Sequence, residues 1–152
     1  FSTYPDITLV TSKRQRIDQD GTPLGDIPAT QAPVAADSTI EGLSLGTALM
    51  LSQVNFVGEP STVMFRRDDM LGVMPDFMSV DEQPIAWASD VAIFLNLALK
   101  GNTVYLVEPL SSFRIHGEQC QVLYGAAPQS EPRRCWGIRR VFWPRHEFDK
   151  SL

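Results

Sequence analysis

Asp18, Gln19 and Asp20 place two carboxylates one residue apart, a spacing that can hold a divalent cation through oxygen ligands. Nearly a hundred residues later the chain reads Arg114-Ile115-His116. In an extended segment Arg114 and His116 share a face, where a guanidinium and an imidazole can meet a phosphate or a metal-bound phosphate. Asp90 stands at the head of an apolar helical pattern. A carboxylate there serves either as a helix cap or as a rigidly held general base. Glu59 and Ser61, in Gly58-Glu59-Pro60-Ser61, suit a hydroxyl-rich ligand or an ordinary loop, and spacing alone does not separate the two.

The first of these candidates fails as a metal site on its own surroundings. A hard cation takes about six ligands, and the twelve-residue calcium-loop template would put Arg16 at position one and Ile27 where a Glu is required. As a turn the same letters are well formed. A strand leads in, Asp and Gln favour the bend, Gly21 supplies positive φ and Thr22 resumes.

The elements that must position these residues follow from periodicity. Asp6 to Ile17 starts apolar and β-branched, then turns basic and alternating, which predicts a strand with one end buried and the other leaving the sheet. Thr22 to Ser44 carries Pro23, Pro28 and Pro33, which forbid a continuous helix and predict a long irregular excursion. Leu43 to Asn55 has helical spacing, and Ser61 to Arg67 suits a short strand. Asp68 is placed to cap a helical turn after it. From Ser89 or Asp90 as N-cap, an apolar helix runs to Lys100 and stops at Gly101, with almost no polar face. Thr103 to His116 then predicts a strand, a bend at Glu108-Pro109, and a second extended piece.

Composition narrows the function classes. With 43% hydrophobic and 20% charged residues in 152, the chain is of single-domain size and able to build a core. A net charge of −5 argues against a general nucleic-acid surface. No apolar run approaches the roughly 18 residues a membrane span needs, and a chain beginning at Phe1 reads as a piece of something longer. Cys120 and Cys135 make neither a disulfide framework nor a metal knuckle, and two free thiols predict a cytoplasmic compartment. Glu131 to Trp143 suits a basic amphipathic helix with Trp136, Ile138, Val141 and Phe142 on its apolar side. Such a helix either packs on its own domain or touches a partner or the inner face of a membrane.

Three segments, in order, resemble the C-terminal half of a family 2 glycosyltransferase with the GT-A fold. They are Pro5 to Gly25, Asn55 to Met70, and Trp87 to Gln119 with its acid-led helix, Glu-Pro-Leu and Arg-x-His run. The resemblance spans roughly Pro5 to Gln119. It implies an α/β fold: a partial GT-A sandwich, a short mixed sheet with a buried helix, lacking the N-terminal nucleotide-binding half. Residues 1–125 would then form the acceptor-side half and 126–152 a helical extension.

By the same resemblance, Asp90 falls where the family carries its catalytic base, and Glu59, Ser61 and Thr62 fall on the loop bordering the acceptor. Arg114 and His116 fall in the run that approaches the nucleotide diphosphate and its cation, Mg or Mn, with His116 as a metal ligand. The implied partners are a nucleotide-sugar donor and a glycan, lipid-linked or protein acceptor, joined by an inverting transfer in the complete enzyme, the fragment alone being inactive. Asp90 and His116 are then expected to face one concavity. Two departures stand out: the family's acid pair is here Ser89-Asp90, and Asp18 and Asp20 come too late to be its metal-binding Asp-x-Asp. The competing expectation is a non-catalytic binding or assembly module that keeps the fold without the chemistry.

Overall fold

A computed structural model describes residues 1–71, 79–80, 83–84 and 89–117. The two cysteines, the basic C-terminal segment and the boundary near residue 125 lie outside them. The described chain is an α/β fold built on a small open mixed sheet. β1 (Ile7–Ile17) and β7 (Asn102–Arg114) run parallel at its centre. β3 (Ser38–Ile40) flanks β7 antiparallel. β4 (Val63–Phe65) and β2 (Pro23–Leu24) both pair antiparallel with β1, at Leu9 to Thr11 and at Arg16 and Ile17 respectively. A separate two-stranded ribbon joins β5 (Ser79–Val80) to β6 (Gln83–Pro84).

Three helices complete the described part: α1 (Gly42–Ser52), α2 (Arg67–Leu71) and α3 (Ser89–Ala98). The α1 start is set by Glu41, whose Oε2 accepts hydrogen bonds from the Ser44 N–H at 2.9 Å and hydroxyl at 2.6 Å. Its end is set by Gln53, which reverses the chain at φ 56° and returns its N–H to Leu49 O. The apolar pattern of α3 is explained by its surroundings. Ile93, Phe94, Leu97 and Ala98 meet Leu45 and Leu49 of α1, Leu9 of β1, Val57 and Met70 in one cluster. Burying several side chains of this kind contributes roughly 1.5–3 kcal/mol each and holds α3 firmly against β1 and α1.

Several expectations change at this level. The basic end of β1 does not leave the sheet: Ile17 pairs with Arg114 on one side and Pro23 on the other, and Arg14 is buried. The reason is tertiary, because carbonyl groups from distant loops receive the guanidinium. The excursion after Thr22 is interrupted by β2 and β3. Asp68 and Asp90 are not caps but lie inside the first turns of α2 and α3. The bend at Glu108-Pro109 is a bulge within a single strand. Register runs from Ser12↔Leu106 to Arg14↔Ser111, so Val107 to Leu110 stand opposite Lys13 alone. Proline, which has no N–H for the ladder, is tolerated at such a place.

Three buried threonines sit along the central strands, and they differ in what their hydroxyls do. Thr8 donates to Leu97 O at 2.9 Å, and Thr11 to Val57 O at 2.7 Å. Thr103 is fully buried and its Oγ1 has no partner. A buried hydroxyl without a partner is a net penalty, whereas removing one end of a buried bond strands the other. Thr103→Val is therefore expected to raise the stability of the protein by about 1 kcal/mol and Thr11→Val to lower it by about 1–3 kcal/mol. Urea denaturation of both variants checks the opposite signs.

Candidate functional site

Asp90 is half-buried in the first turn of α3 and its carboxylate is held at both oxygens. Oδ1 accepts from the Val91 N–H at 2.9 Å, and Oδ2 accepts from Asn55 Nδ2 at 2.6 Å. Asn55 belongs to the loop that follows the reversal at Gln53. Its amide spans Gly58, donating to Gly58 O at 2.8 Å and accepting from the Gly58 N–H at 3.0 Å. Gly58 adopts φ 122°, and a Cβ there would meet Thr62 Oγ1 and Arg14 Nη1. Only glycine fits both the backbone and the space.

The loop is pinned to β1 from below. Thr11 bonds Val57 O, and Arg14 Nη2 donates to Asn55 O and to Ala29 O, each at 3.0 Å. Arg14 is only 6% exposed. Its Nη1 makes no hydrogen bond and faces Glu59 Oε2 at 3.4 Å, an ion pair whose acidic partner is half-open to solvent. Glu59 in turn begins the 3-10 turn Pro60–Thr62, its carbonyl accepting from the Thr62 N–H at 2.9 Å and the Thr62 hydroxyl at 2.8 Å. Ser61 is exposed at the tip. Asp90, Glu59 and Thr62 are thus brought into one network through Asn55, Gly58 and Arg14, with Ser61 on its rim.

Arg114 and His116 belong to a second place. Arg114 Nη1 donates to Asp18 O at 3.1 Å and Gln19 O at 2.6 Å, clamping the turn from β7. Within that turn Asp18 Oδ1 accepts from the N–H groups of Asp20 and Thr22 at 2.9 and 2.8 Å, and Gly21 takes φ 91°. The Asp18 carboxylate therefore serves the turn, as the sequence reading expects. His116 is exposed just beyond β7, where Ile115 N–H bonds Ile17 O. The Asp90 network is anchored at Arg14 and the His116 end at Ile17, three residues of β1 and so about 10 Å apart along the strand.

Arg14 and Asn55 carry this network and neither is singled out by spacing in the sequence. Arg14 sits in a basic, alternating run that looks like a solvated strand end. Asn55 looks like the frayed end of a helix, although Asn followed three residues later by Gly is a local signal for a side-chain-closed loop. An open apolar cavity of about 550 Å³ lies nearby, between the loop at Pro28, Ala32 and Pro33 and the end of α1 with Leu51, Val54 and Phe56. Among the described residues no titratable side chain lines it, so the polar network rather than the cavity is the candidate site. Among the described residues no group of three or more His, Cys, Asp or Glu could hold a metal ion, and no helix is long and apolar enough to cross a membrane.

No family model, curated protein or solved structure matches the chain.

Hydrogen bonding gives one pH-dependent expectation. The Asp18 carboxyl is held below its ordinary value of 3.8, chiefly by the Thr22 N–H; burial opposes this, and the Asp20 N–H, the Thr22 hydroxyl and the Gly21 N–H add to the lowering. A depressed folded-state value means that the contribution is complete above the ordinary value and is lost as pH falls through the lower one. In Asp18→Asn the amide oxygen keeps the same acceptor role but no longer titrates. The loss of stability on acidification from about pH 5 to pH 2 is expected to be smaller in Asp18→Asn than in wild type, read from urea midpoints across that range.

Proposed function

We propose that this chain is the acceptor-side part of an inverting glycosyltransferase of the family 2 type, a partial GT-A fold, acting in a complete enzyme that also carries the nucleotide-binding half. The supporting observation is the Asp90 carboxylate, held at both oxygens at the head of a buried helix and linked through Asn55 and Gly58 to the Glu59–Thr62 loop. In this reading Asp90 takes the proton of an acceptor hydroxyl as that oxygen attacks the anomeric carbon of a nucleotide sugar. The bond from that carbon to the leaving phosphate breaks, and the nucleoside diphosphate carries away the electron pair. One displacement inverts the configuration and needs only one base. Glu59, Ser61 and Thr62 border the acceptor, and the carboxylate and hydroxyl groups there suit a hydroxyl-rich molecule.

In this reading Arg114 and His116, which meet the chain about three residues further along β1 than Arg14, would face the diphosphate. A divalent cation would neutralise charge on that diphosphate. The described residues do not form a cation site by themselves, so His116 would contribute at most one of several ligands and no step is routed through the ion.

The test is Asp90→Asn in the complete enzyme, with nucleoside diphosphate release and glycoside formation measured together. Loss of a general base lowers turnover by about two to four orders of magnitude, while stability should fall only by the loss of one of the two carboxylate hydrogen bonds, about 1 kcal/mol. Wild-type turnover in a folded Asp90→Asn protein removes the base role. A complete protein that binds a glycan but turns over no nucleotide sugar, with or without Asp90, supports a binding module instead.

A further inference from the structure

We propose that Asn55 is the positioning residue for Asp90, aiming its carboxylate through an amide that Arg14 and Gly58 hold in one orientation; this rests on Asp90 being the base.

The orientation of the Asn55 amide follows from chemistry. A carboxylate oxygen only accepts and a backbone N–H only donates. Nδ2 must therefore face Asp90 Oδ2, at 2.6 Å, and Oδ1 must face the Gly58 N–H, at 3.0 Å. A flipped amide would oppose two acceptors at one end and two donors at the other. The second Nδ2 proton goes to Gly58 O at 2.8 Å, so the amide has no spare donor with which to move elsewhere.

The backbone carrying that amide is fixed as well. Asn55 O accepts from Arg14 Nη2, and Arg14 is buried and bonded also to Ala29 O. Two residues later Val57 O accepts from Thr11. Both anchors stand on β1, the central strand, so Asn55 is referred to the sheet rather than to its own loop. A helix entrance does not need such a partner, because residues beside it can serve. Asn55 comes from 35 positions away and meets the single carboxylate of the first turn.

The consequence for Asp90 is directional. Asn55 holds Oδ2, Val91 holds Oδ1, and a carboxylate has about four acceptor positions, so about two remain to receive a proton. A displacement of about 1 Å at a reacting group can cost about a hundredfold in rate. Without Asn55 the carboxylate keeps its identity and loses its aim.

The experiment uses the complete enzyme with Asn55→Ala and Asn55→Asp, following nucleoside diphosphate release against acceptor concentration. Both variants are expected to lose about a hundredfold in kcat with acceptor KM within about threefold of wild type, the pattern of an interaction that matters in the transition state. Asn55→Asp opposes two carboxylates across the former hydrogen bond. Such a pair shares one proton as pH falls, and the introduced carboxyl can then donate to Asp90 as the amide did. The ratio of Asn55→Asp to Asn55→Ala activity should therefore rise as pH falls into the range in which such a carboxylate pair takes up its shared proton. Loss of packing alone would not move that ratio.

Two further measurements separate the outcomes. Variants that fold and retain wild-type kcat, or a ratio that is flat with pH, overturn the positioning role. If Asp90→Asn is inactive while both Asn55 variants are fully active, the positioning role falls and the base role stands. If Asp90→Asn is itself active, both fall. Should the Asn55 variants not fold, the Asn55 side-chain amide resonances of the ¹⁵N-labelled protein decide. They are expected to shift between wild type and Asp90→Asn, and unmoved resonances overturn the contact.

Discussion

A guanidinium buried on the central strand must be supplied with acceptors, and the loops around the candidate site are arranged by that demand. Leaving a charge buried without partners is strongly unfavourable, by several kcal/mol in the general case. Arg14 meets it with two carbonyl oxygens, from Ala29 and Asn55, and with the Glu59 carboxylate at 3.4 Å. These three residues come from three separate stretches of chain. The Pro-rich excursion, the loop after α1 and the start of the 3-10 turn are thereby referred to a single atom group. The ion pair adds little of its own, because Glu59 is half-open to water and such pairs contribute modestly. The two carbonyl bonds are what locate the loops.

The buried helix supplies the other half of the arrangement. α3 packs Phe94 and Leu97 against Leu9, Leu45 and Leu49, so its axis is set by the core and its first turn cannot drift far. Asp90 is therefore a polar group mounted on an apolar anchor. Asn55 connects the two systems: its side chain touches α3 and its backbone touches Arg14 on β1. A site held this way is fixed both through β1, by Arg14 and Thr11, and through the packed helix α3, while Ser61 on its rim is exposed.

Local order is easily read from the residues. β1, α1, β4 and α3 follow from β-branched runs, helical spacing and terminating glycine, all of which act among near neighbours. The turn at Asp18 to Gly21 is equally legible, since a side-chain carboxylate bonding the N–H groups two and four residues on is a local event. Helix starts are less legible. Asp68 and Asp90 have the residue type of caps, yet each sits one step inside the helix. The bulge at Val107 to Leu110 is half-legible: Pro109 announces a departure from the ladder, but only the partner strand shows that β7 resumes its pairing beyond it.

By itself, then, the sequence determined an acidic α/β chain of single-domain size with one strongly buried helix, a hairpin turn at Asp18 to Gly21 and an acid at the head of that helix. Those features depend on side-chain type and on contacts a few residues apart. Tertiary structure alone decided that β1 and β7 lie parallel, that Arg14 is buried rather than solvated, and that Asn55 is the partner of Asp90. Each of these joins groups separated by tens of residues. Hydrogen-bond capacity at one position says nothing about which distant group will fill it until the core has packed.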